Sequence, residues 1–181
     1  MFGLRYDRFR NHKFHLIREH YGYSCLDVGS GDGDFAVFLQ SEGILTTAID
    51  IADKGEHPEM QTKIFDGRKI PFPAKSFDTS IAMFVLHYSQ DPMQLLNELG
   101  RVTRSRIIIG EDVTDTALDK VLSRLHMWTT PWGRSRGVFY SDEKWRKIFQ
   151  SRGSQLLKVI EIPRYLEPTY PIHRRIYVIE P

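Results

Sequence analysis

Only one cysteine, Cys25, occurs among the 181 residues. No disulfide can close within the chain, and a single thiol fits a reducing compartment. Long apolar runs are missing too. The longest, around Ile81–Leu86 and Ile107–Ile109, are far too short to span a bilayer. The first residues, Met1–Arg10, alternate charge with aromatics and carry no apolar signal core, so the expected location is cytoplasmic. An excess of one charge is also lacking: 25 Lys and Arg stand against 23 Asp and Glu, a net +2. The basic residues fall in short groups (Arg101, Arg104, Arg106; Arg134, Arg136; Arg174, Arg175) that read as solvated faces, and no nucleic-acid partner is expected. His12, His15 and His20 lie near one another without carboxylate or cysteine partners at ligand spacing, so no metal site is expected. There is no Gly-x-Ser-x-Gly elbow and no phosphate-binding Gly-Lys-Ser/Thr loop.

What is present is an average globular composition, 41% hydrophobic and 27% charged. The length fits a single domain over residues 1–181. Leu16 and Ile17 among polar neighbours predict an amphipathic N-terminal helix, and residues 1–22 are read as a helical cap. Short apolar strands are predicted at Cys25–Val28, Thr46–Ile51, Lys63–Phe65, Phe77–Val85 and Arg106–Gly110. Helices are predicted between them, one after the glycine loop and one from Asp91-Pro92, where Asp caps and Pro takes the first helical position. This alternation predicts an α/β fold with a parallel sheet covered on both faces. Ala117, Leu118, Val121, Leu122, Leu125 and Trp128 recur at helical spacing, and Ser141–Lys144 reads as a capped helix start. Leu156–Ile162 and Arg174–Ile179 are expected to be the last two strands.

The chemistry concentrates in Asp27-Val28-Gly29-Ser30-Gly31-Asp32-Gly33, where glycines alternate directly after a strand and before a helix. Glycine lets the backbone turn sharply and lets a ligand approach without meeting a Cβ. The helix beyond adds unpaired N–H groups. Asp50 ends the next strand about 20 residues on, where a carboxylate can accept from two ribose hydroxyls. A dinucleotide is the natural rival ligand, but the position of its third glycine is occupied by Asp34. Asp32 and Asp34 make the loop acidic, which suits a ligand with a cationic end better than a pyrophosphate.

With these residues the chain resembles the class I S-adenosylmethionine-dependent methyltransferases, in particular their small-molecule, type 11-like branch. The likeness is strong over Tyr23–Asp112 and looser beyond. It implies a Rossmann-like, doubly wound, mainly parallel seven-stranded sheet with helices on both faces and an antiparallel last strand. It also implies S-adenosyl-L-methionine as cofactor and S-adenosyl-L-homocysteine as product. Asp27 would help hold the methionine end, with Gly29, Ser30 and Gly31 beneath the cofactor; Asp50 would bind the ribose and Ile51 would lie against the adenine. A second block, Phe65-Asp66-Gly67 through Ile70-Pro71-Phe72-Pro73 to Ser76-Phe77-Asp78, is similar to the family's stretch between strands three and four. Asp66 would then face the adenine amino group with Gly67 beside the ring, a glycine where the family usually has alanine. Phe84, in Phe84-Val85-Leu86-His87-Tyr88, would lie near the methionine moiety.

The cofactor's sulfonium brings an activated methyl group, so the protein's task is to orient an acceptor and exclude water. A base is needed only for an acceptor that arrives protonated. His87 is the first candidate and Tyr88 the second, the alternatives being pocket walls. Residues 113–140 are read as a substrate cap, in which Trp128, Trp132, Phe139 and Tyr140 line an apolar pocket or fill a satellite core. Arg134 and Arg136 reach an anionic group or remain solvated. The expected acceptor is a small molecule. Two other functions stay open: a cofactor-binding module without turnover, and a protein or nucleic-acid methyltransferase. Against the latter, the Asn/Asp-Pro-Pro-Tyr signature of base methylation is absent at Phe84–His87.

Overall fold

The computed structural model describes residues 13–52, 57, 60–129 (side chains through 126), 137–163 and 172–181. Its strands are β1 (Ser24–Val28), β2 (Leu45–Asp50), β3 (Thr62–Ile64), β4 (Phe77–Met83), β5 (Thr103–Val113), β6 (Gln155–Glu161) and β7 (His173–Glu180). They form one sheet in the order β3-β2-β1-β4-β5-β7-β6. β1 to β5 run parallel, and β7 pairs antiparallel with both β5 and β6. The seven-stranded, mainly parallel sheet is the one expected.

Successive side chains of a strand point to opposite faces, and here both faces are apolar. Leu26, Val28, Ile107, Ile109, Tyr177 and Ile179 face one way, into a core with Leu95 and Leu99 of α2 (Pro92–Val102) and Trp145 and Phe149 of α4 (Asp142–Ser151). Cys25, Ile81, Ile108 and Ile176 face the other way, against Phe35 and Leu39 of α1 (Asp34–Ser41) and against Phe14 and Ile17 of the N-terminal segment. Each fully buried Leu or Ile contributes about 1.5–3 kcal/mol, so both layers anchor the strands. The helix starts use the side chains the sequence offers. Asp91 accepts from the N–H groups of Met93 and Gln94 at 3.0 and 2.9 Å, and Ser141 accepts from Lys144 at 3.3 Å.

Among the strand boundaries that differ from expectation, two shape the site. β4 stops at Met83 because Phe84 takes a left-handed backbone, φ 61°, and the chain turns into a 3-10 segment at Leu86–Tyr88. β5 does not stop at Gly110. Its antiparallel pairing with β7 runs from Ile107↔Ile179 to Val113↔His173 and carries the strand three residues further. Glu111 and Asp112 therefore belong to the sheet.

α3 (Ala117–Thr129) follows β5. Its start is a reciprocal cap: Thr116 N–H donates to Asp119 Oδ2 at 3.0 Å, and Asp119 N–H donates to Thr116 Oγ1 at 3.1 Å. Two contacts fasten the helix to the body. Asp119 Oδ1 lies 2.9 Å from His173 Nδ1 on β7, and His126 Nε2 lies 3.1 Å from the Tyr88 hydroxyl.

Candidate active site

Parallel strands bring their C-terminal ends to one edge, and in open α/β sheets ligands bind there. Asp27-Val28-Gly29 at β1, Asp50 at β2, Phe84 after β4 and Glu111 near the end of β5 all arrive at this edge.

The glycine loop hangs from β2. Gly29 and Ser30 N–H donate to Ile49 O at 2.8 and 3.2 Å, and Gly33 N–H donates to Ser30 O at 2.9 Å. The loop glycines differ in why they are needed. At Gly29, φ 72°, an added Cβ would stand 2.4 Å from Val85 Cγ2, so a neighbouring side chain excludes it. At Gly31, φ 59°, an added Cβ would meet nothing within 4 Å. The open space lies over Gly31.

Asp50 is buried and clamps this loop. Its Oδ2 accepts from Gly31 N–H at 2.9 Å, and its Oδ1 accepts from Ile51 N–H at 2.6 Å and Ala52 N–H at 3.2 Å. It thus serves as the strand-end turn residue, with lone pairs left for a ligand hydroxyl. Ile51 projects into solvent, and a Cβ on Gly67 would lie 3.1 Å from its Cγ2. Asp66 is exposed; its Oδ1 accepts from Lys69 and Arg68 N–H, both at 2.8 Å. Those two N–H groups hold its carboxyl below the usual range.

Asp27 is different. It is 3% exposed, and its Oδ2 is buried without a hydrogen-bond partner. Burial, helped by the negative charges of Asp50 and Asp32, pushes its carboxyl up to about 7. A native interior seldom keeps a carboxylate oxygen in this condition. A cation placed beside it would relieve the cost.

Across the same edge, His87 and Glu111 are each 1% exposed and lie 2.7 Å apart, Nδ1 to Oε2. A carboxylate only accepts, so Nδ1 carries the proton and Nε2 remains the basic nitrogen. Burial alone would lower the histidine's pKa; the Glu111 carboxylate outweighs it and the net shift is upward. Glu111 Oε1 also accepts from Leu86 N–H at 2.9 Å, which fixes the turn that presents His87. Phe139 stacks on the imidazole at 4.9 Å between centroids, and Tyr88 lies against it at 4.1 Å. Arg174, bonded through Nε to Asp112 Oδ1 at 2.9 Å, sits 4.3 Å over the Phe84 ring, with Lys13 Nζ 5.6 Å from the same ring.

Sequence reading missed Glu111, Asp112 and Arg174 as site residues. The available signal was a pair of acids continuing an apolar strand after Gly110. Of the residues expected to line a substrate pocket, Tyr140 lies apart, packed edge-on against Trp145 at 5.2 Å, in the core. Trp132, Arg134, Arg136 and His12, and the side chain of Trp128, lie outside the described residues. Among the described residues no group of His, Cys, Asp and Glu could hold a metal ion.

A family model described as a methyltransferase domain matches residues 26–109. A phosphatidylethanolamine N-methyltransferase of Cereibacter sphaeroides is 28% identical, over 57% of this chain and 60% of that protein. Over that stretch the chain is similar to the class I S-adenosylmethionine-dependent methyltransferases. Solved structures of this methyltransferase class share the fold. One is the 1,6-didemethyltoxoflavin-N1-methyltransferase of Burkholderia thailandensis, with bound 1,6-didemethyltoxoflavin and S-adenosylhomocysteine: TM-score 0.73, 14% identity, 95% of this chain and 77% of that one. Another is a SAM-dependent methyltransferase of Methanosarcina mazei, with TM-score 0.72, 15% identity, and 91% and 96% coverage. The match spans less than two thirds of the Cereibacter methyltransferase. For a cofactor that carries a sulfonium and an ammonium, the unmatched Asp27 oxygen is a fitting acceptor and the open space over Gly31 leaves room for it.

Proposed function

We propose that this chain transfers the methyl group of S-adenosylmethionine to a small-molecule acceptor. The observation that carries the proposal is the buried, unpartnered Asp27 oxygen under the glycine loop, one strand from Asp50. In this reading Asp27 faces the cationic methionine end, the Gly29–Gly31 backbone runs beneath it, and Phe84 borders the methionine moiety. Asp50 takes the ribose hydroxyls, and Ile51, Asp66 and Gly67 border the adenine. Of the expected caps, the described residues 13–22 and α3 cover the acceptor.

Bound S-adenosylmethionine supplies a methyl group activated for in-line displacement. The chain's residues do the rest. His87 Nε2 takes the proton of an acceptor that arrives protonated, and Glu111 orients the ring and steadies the imidazolium. Tyr88, bonded to His126, borders the same space. The Cereibacter relative is named for N-methylation of phosphatidylethanolamine. By analogy, an amine that must lose a proton before its lone pair can attack is a fitting acceptor class, which gives the histidine a task.

A labelled-methyl assay over small amines and amphiphilic amines tests the activity, with calorimetry against S-adenosylhomocysteine in parallel. His87→Ala should lower turnover by about 10²–10⁴-fold while leaving cofactor affinity within about threefold. Absence of heat with both S-adenosylmethionine and S-adenosylhomocysteine would sink the reading. An unchanged rate in His87→Ala would remove only the base.

A further inference from the structure

α3 is mounted with its polar side inward. Asp119 and Ser123 are 1% and 3% exposed, whereas Leu118, Val121 and Leu125 are 61%, 53% and 57% exposed. With 3.6 residues per turn, positions 118, 121, 122 and 125 form one stripe and 119, 123 and 126 another. An amphipathic helix on a globular body ordinarily turns the apolar stripe to the core. Here Asp119 holds the polar stripe inward through Thr116 and His173, and His126 through Tyr88. Scattered exposed leucines need no explanation, but a continuous apolar face does.

The charges beside the stripe select its partner. Lys120 and Arg124, one turn apart, are exposed along one margin. The nearest carboxylates in sequence turn away: Asp115 pairs with Arg175, and Asp119 with His173. Cations bordering an apolar face match phosphates bordering acyl chains. A second copy's α3 would bring two more cations to the seam, and its carboxylate, Asp119, faces inward. No described helix is long and apolar enough to cross a membrane, which leaves the in-plane geometry for this one.

We infer that α3 lies in the plane of an anionic phospholipid surface, with Leu118, Val121 and Leu125 among the acyl chains and Lys120 and Arg124 at the phosphates. Because His126 on the inner side of the helix reaches Tyr88 beside His87, such docking sets the proposed site against the bilayer. It would let an amphiphilic acceptor enter without crossing water. The use of the surface rests on the methyl-transfer reading; its existence does not.

The test is sedimentation with vesicles of equimolar phosphatidylglycerol and phosphatidylcholine against vesicles of phosphatidylcholine alone, at low and high salt. The wild-type protein should bind the anionic vesicles, and more weakly as salt rises. Leu125→Ser with Leu118→Ser should weaken binding by about tenfold or more. The charge reversals Lys120→Glu and Arg124→Glu should remove the preference for phosphatidylglycerol without touching the apolar face. Calorimetry with S-adenosylhomocysteine on each variant shows whether the cofactor site, and hence the fold, is intact; it fails independently of vesicle binding if the methyl-transfer reading is wrong. No sedimentation of the wild type, or equal sedimentation of all variants, overturns the inference. So does a concentration-dependent dimer in light scattering that the leucine substitutions dissociate, which would make the stripe a subunit interface.

Discussion

At the tip of β1, Asp27 is buried with one oxygen unmatched. Two strands away, at the end of β5, Glu111 and Asp112 are buried just as deeply, but the first is closed by His87 and the Leu86 N–H and the second by Arg174. The two regions lie on one sheet edge and face opposite electrostatic situations. A buried carboxylate with its hydrogen bonds made is part of the architecture, and breaking it harms the fold. A buried carboxylate left open burdens the fold and is relieved when something cationic arrives. Chemistry and stability should therefore respond to substitution in opposite senses at the two strand tips.

The largest effect is expected at β5. Glu111→Ala strands the His87 Nδ1–H and the Leu86 N–H in a dry interior and should cost about 3–5 kcal/mol of stability in urea denaturation. Glu111→Gln keeps an acceptor and should cost about 1–2 kcal/mol. A Glu111→Ala protein as stable as one carrying the exposed change Glu143→Ala would show that the β5 cluster is not the closed network described.

Next come the loop glycines, which separate a steric need from an open cradle. Gly29→Ala meets Val85 and an unfavourable φ, and should lose about 2–4 kcal/mol; Val85→Ala should restore part of this by removing the collision. Gly31→Ala meets only the φ penalty, about 1 kcal/mol, yet its methyl enters the space over the loop. Its S-adenosylhomocysteine affinity should therefore fall by about tenfold or more, out of proportion to the stability lost. Affinity unchanged in Gly31→Ala would mean that the ligand does not pass there.

The same contrast explains what could be read from the chain alone. The glycine loop is local: a strand, a sharp turn and a helix start follow one another within a few residues, and the backbone there is dictated by residue type; Asp50, 19 positions after Gly31, was placed by its position at the end of the next strand. The closed network at β5 is not local. Glu111 meets His87 across 24 positions and Asp112 meets Arg174 across 62. In sequence, a glycine followed by two acids looks like the end of a strand entering solvent. Only the antiparallel pairing with β7 keeps it in the sheet. α3 gives a third case. Its apolar period of 118, 121, 122 and 125 announced a helix, but periodicity does not say which side a helix buries, and the Asp119–His173 pair turned the polar side inward. The alternation of strands and helices was thus legible from patterns within elements, and the seven-stranded sheet from the family resemblance, whereas the long-range contacts at the end of β5 were not legible from either.

The remaining expected effect is the most diagnostic, because it has a sign. In the ligand-free protein, burial and the nearby Asp50 and Asp32 raise the Asp27 carboxyl to about 7, above its value in an unfolded chain. The folded state therefore favours the protonated form. The stability this group contributes is full below about pH 4 and is lost as pH rises through about 7. Asp27→Asn removes that loss. At about pH 8 it should stabilise the ligand-free protein by roughly 1–3 kcal/mol, and near pH 4 the two proteins should unfold alike. A cationic ligand reverses the preference, since it needs the ionised carboxylate. Wild-type affinity for S-adenosylhomocysteine, whose ammonium persists over this range, should fall by up to about tenfold per unit as pH drops below 7. Asp27→Asn should bind weakly and with a flat profile. Thermal unfolding over about pH 4 to 9 and calorimetry over about pH 5 to 9 measure the two arms. If the asparagine protein lost stability at pH 8 while keeping its affinity, Asp27 would belong with Glu111 among the structural carboxylates, and the difference between the two strand tips would vanish.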